Sequence, residues 1–525
     1  MQTIKDRLNK IKYIDIKADL SSLTADQKTA LSYVVKAAKL MDGLYLHQAC
    51  VENEKIINNL QDKNDEESKD LLQYFMTQGT PWDSYQHNQS FIPEIGKKPL
   101  FGSFYPEGLT KDEWSKWLDN NPADRPQFES NYTVIKRDGD ELRAVPYSME
   151  YSVELKQVAK YLRQAAGYLE QGSLKTFLEK RADSFENNDY FDSEMVWVDT
   201  TGEPFEVTIG PYEVYFDELM GVKAAFESYI GIADREATDA IAKYKSHIQG
   251  FNELLQSEFN FEPKGLATPM IVTNDIMRSG MATFGYIFVA FNLPNDRRVH
   301  ELKGSKKVFS KTMMETKFSQ LSLPAAKKLL ASENFEKLGF EGYLQFVIGH
   351  EIAHGCGPAT VTKDGKAVSF DVTLEDLYST IEEAKADMLG IRFLKYLTDQ
   401  NVITQKELEE AVIARFAICF IPWSHGFTEA HSKGELMEYN WLESTGAITY
   451  NSSTKQFLMN TNACIDEMTK LSTEFLNIEM SGNYQTAKEF VEKWGTVPPE
   501  LVEAIGQLGD IPTAIKPIWD ISELE

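Results

Sequence analysis

The feature that most constrains this chain is one stretch past its midpoint: Leu344-Gln345-Phe346-Val347-Ile348-Gly349-His350-Glu351-Ile352-Ala353-His354-Gly355-Cys356-Gly357-Pro358. Residues four apart on an α-helix lie one above another. Phe346, His350 and His354 therefore form one row, and Leu344, Ile348 and Ile352 form an apolar row suited to a core. The HExxH pattern turns two imidazoles toward a common point where they can share a metal ion. Glu351 projects about 100° further around the helix, near enough to act on a water at the metal without binding the ion itself. Gly355, Gly357 and Pro358 stop the helix just beyond the second histidine. With eight histidines in 525 residues, the pattern arises by chance in roughly one such chain in a hundred.

A catalytic zinc site typically uses three protein ligands, and the best source of the third is a second helix. Thr373-Leu374-Glu375-Asp376 reads as a capping box, and Leu377, Ile381, Ala384, Met388, Ile391 and Leu394 then mark an apolar face through about Leu397. Within it lies Glu382-Glu383-Ala384-Lys385-Ala386-Asp387. Three carboxylates so close cost stability unless a cation compensates. Zinc with its histidines is such a cation: one carboxylate can ligate while the others accept the imidazole N–H groups and fix their tautomer. Cys356 offers an alternative, since a thiolate there would close the coordination shell and leave a structural zinc.

Elsewhere the sequence supplies context. Hydrophobic residues make up 42% and charged residues 26%, the proportions of a folded protein. The balance of 54 basic to 80 acidic residues gives a net charge of −26, which disfavours nucleic-acid partners. No apolar run is long enough for a membrane span or an export signal. The four scattered cysteines suit a reducing compartment, so the cytoplasm is expected. Helical periodicity runs from Thr24 to about Leu60 and again over residues 148–187. Prolines 81, 93, 99, 106, 122, 126 and 146 punctuate an irregular stretch. Val196, Val198, Phe205, Val207 and Ile209 alternate as in a strand over 195–216. Met270 to Pro294 reads as strand and loop, and helix dominates from Ala325 to about Lys493. The expected fold is α+β, with two lobes flanking a cleft: a mixed lobe over residues 1–310 and a mainly helical lobe over 311–525, the boundary being approximate and the chain free to cross between lobes.

HExxH followed by a helix bearing Glu-Glu-Ala-Lys-Ala-Asp resembles the dipeptidyl peptidase III family of zinc metallopeptidases. Other segments match in order: Glu206-Val207-Thr208-Ile209-Gly210-Pro211-Tyr212-Glu213, Asn292-Leu293-Pro294-Asn295, Gly304-Ser305-Lys306-Lys307-Val308 and Glu429-Ala430-His431-Ser432-Lys433-Gly434. The last two resemble the bacterial branch; some of its members are fused to Nudix domains, and none is expected here. The resemblance implies one zinc ion held by His350, His354 and Glu383, with Glu351 activating water. It implies that Glu382 and Asp387 support the histidines and that His431 stabilises the transition state. Glu206 would hold the free α-amine of a short peptide, and Asn292 and Asn295 its backbone. The implied activity is release of dipeptides from the N-terminus, with closure of the cleft on substrate. This chain has the five-residue HExxH where most of the family has HExxGH. Thr208 stands where many members carry a tyrosine two residues after the amine-binding glutamate. Two other readings use the same residues: a zinc hydrolase of another amide, and an inactive binding protein with a closed or empty metal site.

Overall fold

A computed structural model of the protein describes residues 3–63, 65–92, 94–261, 268–363 and 365–525; Pro93 lies outside them. The chain folds as two units. The first comprises Met1–Thr238, Ala267–Met313 and Ala514–Glu525, the second Asp239–Leu266 and Met314–Thr513. The single boundary at 310 read from the sequence is thus replaced by a discontinuous division. Its cause is packing that composition does not reveal. Phe251, in the helix Ile248–Glu258, sets its ring 5.2 Å from Phe393 and 5.6 Å from Tyr396. The strand Ala514–Trp519 pairs in parallel with Ile11–Ile16.

In the first unit, α1 (Ala25–Ala49) opens with the capping box expected at Thr24, whose side chain accepts from Gln27 N–H while Gln27 accepts from Thr24 N–H. It ends at Cys50, where the backbone becomes extended, and a separate helix covers Asn53–Lys63; the single helix expected to Leu60 is therefore two. The unit is built on β1 (Phe205–Pro211), β2 (Phe226–Ala233), β3 (Met270–Gly280), β4 (Ala290–Leu293) and β5 (Lys306–Ser310). They form one sheet in the order β1-β2-β3-β5-β4. Only β3 and β5 are parallel neighbours. Helix α1 packs on β2 and β3, fixed by Ser279 Oγ donating to Ala38 O at 2.7 Å and Gly280 N–H donating to Asp42 at 2.6 Å. Val196 and Val198, read as strand, lie in a helix over Phe191–Asp199. Its buried residues Ser193, Glu194, Trp197 and Val198 follow the helical period, and the Trp197 indole N–H reaches Val207 O at 3.0 Å.

The second unit is helical apart from two short hairpins, Thr360–Lys363 with Lys366–Ser369 and Ile448–Asn451 with Gln456–Met459. Its main helices are α2 (Phe340–Ala353), α3 (Tyr378–Asp399), α4 (Gln405–Ile418), α5 (Ala430–Ser444) and α6 (Thr461–Ser481). Helix α3 is central and touches the other four. Its Ile381, Ala384, Met388, Ile391 and Leu394 are completely buried, the isoleucines, methionine and leucine each contributing about 1.5–3 kcal/mol. Helix α2 buries every residue from Gly342 to Gly349, so it is packed on all sides and not along one row. The capping box expected at Thr373 does not form. A short helix Phe370–Leu374 ends there, Glu375 takes φ +51°, and α3 starts at Tyr378 without a side-chain cap. Helices α2 and α3 meet backbone to backbone. A Cβ on Gly390 would lie 2.8 Å from His350 N, and one on Gly349 would lie 3.1 Å from Gly390 O. Among the described residues no helix is long and apolar enough to cross a membrane.

Candidate active site

The glycine crossing delivers His350 from α2 against the acidic turn of α3. His350 Nε2, His354 Nε2 and Glu383 Oε2 form a triangle with sides of 3.1, 3.5 and 3.5 Å. A tetrahedral zinc with bonds of 2.0–2.2 Å has ligand–ligand edges of about 3.4 Å. Asp387 Oδ1 receives the Nδ1–H of His350 at 2.7 Å, and Glu382 Oε1 that of His354 at 2.8 Å. Those contacts fix each tautomer and leave both Nε2 lone pairs facing Glu383. Glu383 Oε2 is buried with no hydrogen-bond partner among the described residues. Three lone pairs aimed at one point, with no proton donor among them, fit a divalent metal. Of the described residues, only these three form a group able to hold an ion, so Cys356 does not join it.

Charge agrees with geometry. Burial alone would raise the Glu383 carboxyl, but His350 and His354 outweigh it and hold it well below the usual carboxylate range. Burial would lower the His350 imidazole, yet Asp387 and Glu383 raise it to about 10 as a proton-binding group; a metal competes for the same lone pair. Glu351 is half-buried beside His350 in α2. His431, at the start of α5 and 52% exposed, sets Nδ1 3.4 Å from Glu383 Oε2. The second unit thus gathers His350, His354, Glu382, Glu383, Asp387 and His431 around one point.

The substrate-binding candidates lie in the first unit. Glu206 on β1 is 4% exposed and places its oxygens 2.8 and 3.0 Å from the Lys306 ammonium. Its charge is already matched by a buried cation, so the amine-holding role expected for it does not suit it. Asn292 is exposed on β4 at the edge of the sheet. Asn295 donates to Tyr212 O at 2.9 Å and lies 3.4 Å from Glu213 Oε2.

Beside Asn295 is a pair of carboxylates that sequence reading passed over. Glu227, on β2, is 1% exposed; one oxygen accepts from Tyr229 Oη at 3.2 Å, and the other has no hydrogen-bond partner among the described residues. Burial, then the neighbouring Glu213 charge, pushes Glu227 well above the usual carboxylate range. Burial raises Glu213 to about 7. The cation that offsets Glu227, Arg278, is committed to Asp275 at 2.7 Å and to Phe288 O at 2.6 Å. A signal was available in the sequence: Glu227-Ser228-Tyr229 has a tyrosine two residues after a glutamate, the pattern that Glu206 and Thr208 lack.

Comparison with known proteins accords with this geometry. Residues 127–403 match the profile of peptidase family M49. The chain is 28% identical over 576 aligned residues to Nudix hydrolase 3 of Arabidopsis thaliana, across 99% of this chain and 74% of that protein. Its fold matches the structure of DPP III from Caldithrix abyssi with a TM-score of 0.96 and 33% identity, covering 99% of this chain and 100% of that one. It matches dipeptidyl-peptidase III from Corallococcus sp. strain EGB with a TM-score of 0.88 and 33% identity, covering 99% and 97%. The converging histidines and glutamate, the α+β fold and these matches lead to one conclusion: the chain belongs to peptidase family M49, the dipeptidyl peptidase III family of metallopeptidases.

Proposed function

We propose that the protein is a zinc-dependent exopeptidase that removes dipeptides from short peptides with a free N-terminus. The observation that carries this reading is the convergence of His350 Nε2, His354 Nε2 and Glu383 Oε2 next to Glu351. A zinc ion bound there would supply Lewis acidity and lower the pKa of water. Glu351 takes a proton from the attacking water and returns it to the leaving amine. His431 donates to the oxyanion as charge builds on the former carbonyl oxygen. Asp387 and Glu382 keep the two imidazoles aimed. The α-ammonium is the cation that the Glu213–Glu227 pair lacks, and Tyr229 and Asn295 border that pair; we assign amine recognition to Glu227 in place of Glu206. Asn292, on an edge strand, hydrogen-bonds the peptide backbone. The four cysteines form no disulfide with one another, in keeping with the cytoplasmic setting proposed for the protein.

The test is a library of short peptides with free or acetylated N-termini, incubated with protein of measured metal content. Release of dipeptides from the free-amine members only, with about one zinc per chain, is expected. Cleavage of acetylated members at equal rates would contradict an amine-measuring site. Full turnover without bound metal would overturn the mechanism.

A further inference from the structure

Each metal-binding imidazole leads away from the site through a carboxylate to a buried cation. On the His354 side, Glu382 Oε1 also accepts from Lys385 Nζ at 2.8 Å, and Lys385 is completely buried. On the His350 side the cation comes from α4, a helix that carries none of the motifs. Arg415 Nη2 donates to Asp387 Oδ2 at 2.7 Å, while Asp387 Oδ1 holds His350. The same Nη2 lies 2.5 Å from Glu438 Oε2 of α5, and Nη1 lies 2.7 Å from Cys419 Sγ and 3.7 Å from Glu435 Oε1. The guanidinium also sits over the Phe346 ring, 5.3 Å from its centroid, and Phe346 is one helical turn before His350 with its ring 6.1 Å from the imidazole. Arg415 is 1% exposed. A buried guanidinium is costly unless its N–H groups are used. Here they tie α3, α4 and α5 to the carboxylate that aims one metal ligand.

We propose that Arg415 is a positioning residue for the metal centre, acting through Asp387 to fix the orientation of His350. This rests on the metallopeptidase reading of the site but is tested by metal binding, which does not depend on what the enzyme cleaves. Without the guanidinium, Asp387 loses the contact that sets its rotamer, and His350 loses its fixed direction.

The experiment is chelator competition on the full-length protein, with folding monitored by circular dichroism. Arg415→Gln is expected to weaken zinc binding by about 10- to 100-fold, the range seen when supports of metal ligands are removed, and to lower kcat with KM for peptide unchanged. In an Asp387→Asn background the same substitution should cost no further affinity, because both changes break one chain of contacts. Arg7→Gln breaks another buried pair, Arg7 Nη1 with Asp83 at 2.6 Å, and should lower stability while leaving the chelator midpoint unchanged. A folded Arg415→Gln protein binding zinc within twofold of the parent would overturn the proposal, as would additive losses in the double variant. If Arg415→Gln does not fold, Glu438→Gln carries the test: it replaces one of the three carboxyl groups around the guanidinium. A loss of about 3- to 10-fold is then expected, and an unchanged midpoint refutes the assignment.

Discussion

Glu351 and Glu227 are two carboxylates given different work by their surroundings. Glu351 sits beside His350, a proposed metal ligand, so its loss should remove proton transfer and spare the ion. Glu351→Gln is expected to retain one metal per chain and to lose at least about 100-fold in kcat; unchanged turnover would exclude it as the base. Glu227 is buried beside another acid, and its folded-state pKa lies above the unfolded value. The protonated pair therefore favours folding below the ordinary carboxyl pKa near 4.5, and that contribution is lost as pH rises through about 7, the value for Glu213. Glu227→Gln should accordingly melt at a higher temperature than the parent at pH 8, with the gain gone at pH 5. The same variant should raise KM for free-amine peptides by about 10- to 100-fold; a KM that does not move would remove it from the site. The histidines were legible in the sequence because an i, i+4 relation on one helix is local. Glu227 was legible only as a glutamate two residues before a tyrosine, because its burial and its missing cation arise only when β2 pairs with β1 and β3.

Between elements, the decisive contact is the crossing of α2 and α3 at Gly349 and Gly390. A methyl group on Gly390 would meet backbone atoms of the other helix at 2.8 and 2.9 Å, which cannot move without moving His350. Gly390→Ala is expected to destabilise the protein by about 1–3 kcal/mol and to weaken metal binding, since parting the helices separates His350 from Glu383 and Asp387. Gly349→Ala should be milder, because its closest contacts are Gly390 O at 3.1 Å and the flexible Leu394 side chain at 3.4 Å. Thermal melts and metal titration of both variants check the order; equal effects would show that the crossing is not what limits the site. The long apolar periodicity of α3 was readable in advance, and its start was not. Thr373 has the residue pattern of a cap, but Glu375 adopts a left-handed φ and breaks the helix that Thr373 would have opened. Likewise, Val196 and Val198 satisfy both a strand and a helix pattern, and packing of Trp197 decides between them.

At the scale of the whole molecule, all the residues proposed to hold the metal belong to the second unit. Ligand linkage then stabilises that unit alone, by about 4 kcal/mol at a thousandfold excess over Kd. Calorimetry after metal removal is expected to lower one transition and leave the other, with the first unit's transition identified by its response to Arg7→Gln; an equal shift of both would mean that the units unfold together. The mixed and helical characters of the two halves were visible in composition, but their boundary was not, because Asp239–Leu266 and Ala514–Glu525 each pack away from their neighbours in sequence. The last of these segments bears on synthesis. Ile11–Ile16 is synthesised before α2 to α6, and its partner Ala514–Trp519 after them. The helices proposed to hold the metal lie wholly between them, and can therefore be complete while the first unit still waits for its closing strand.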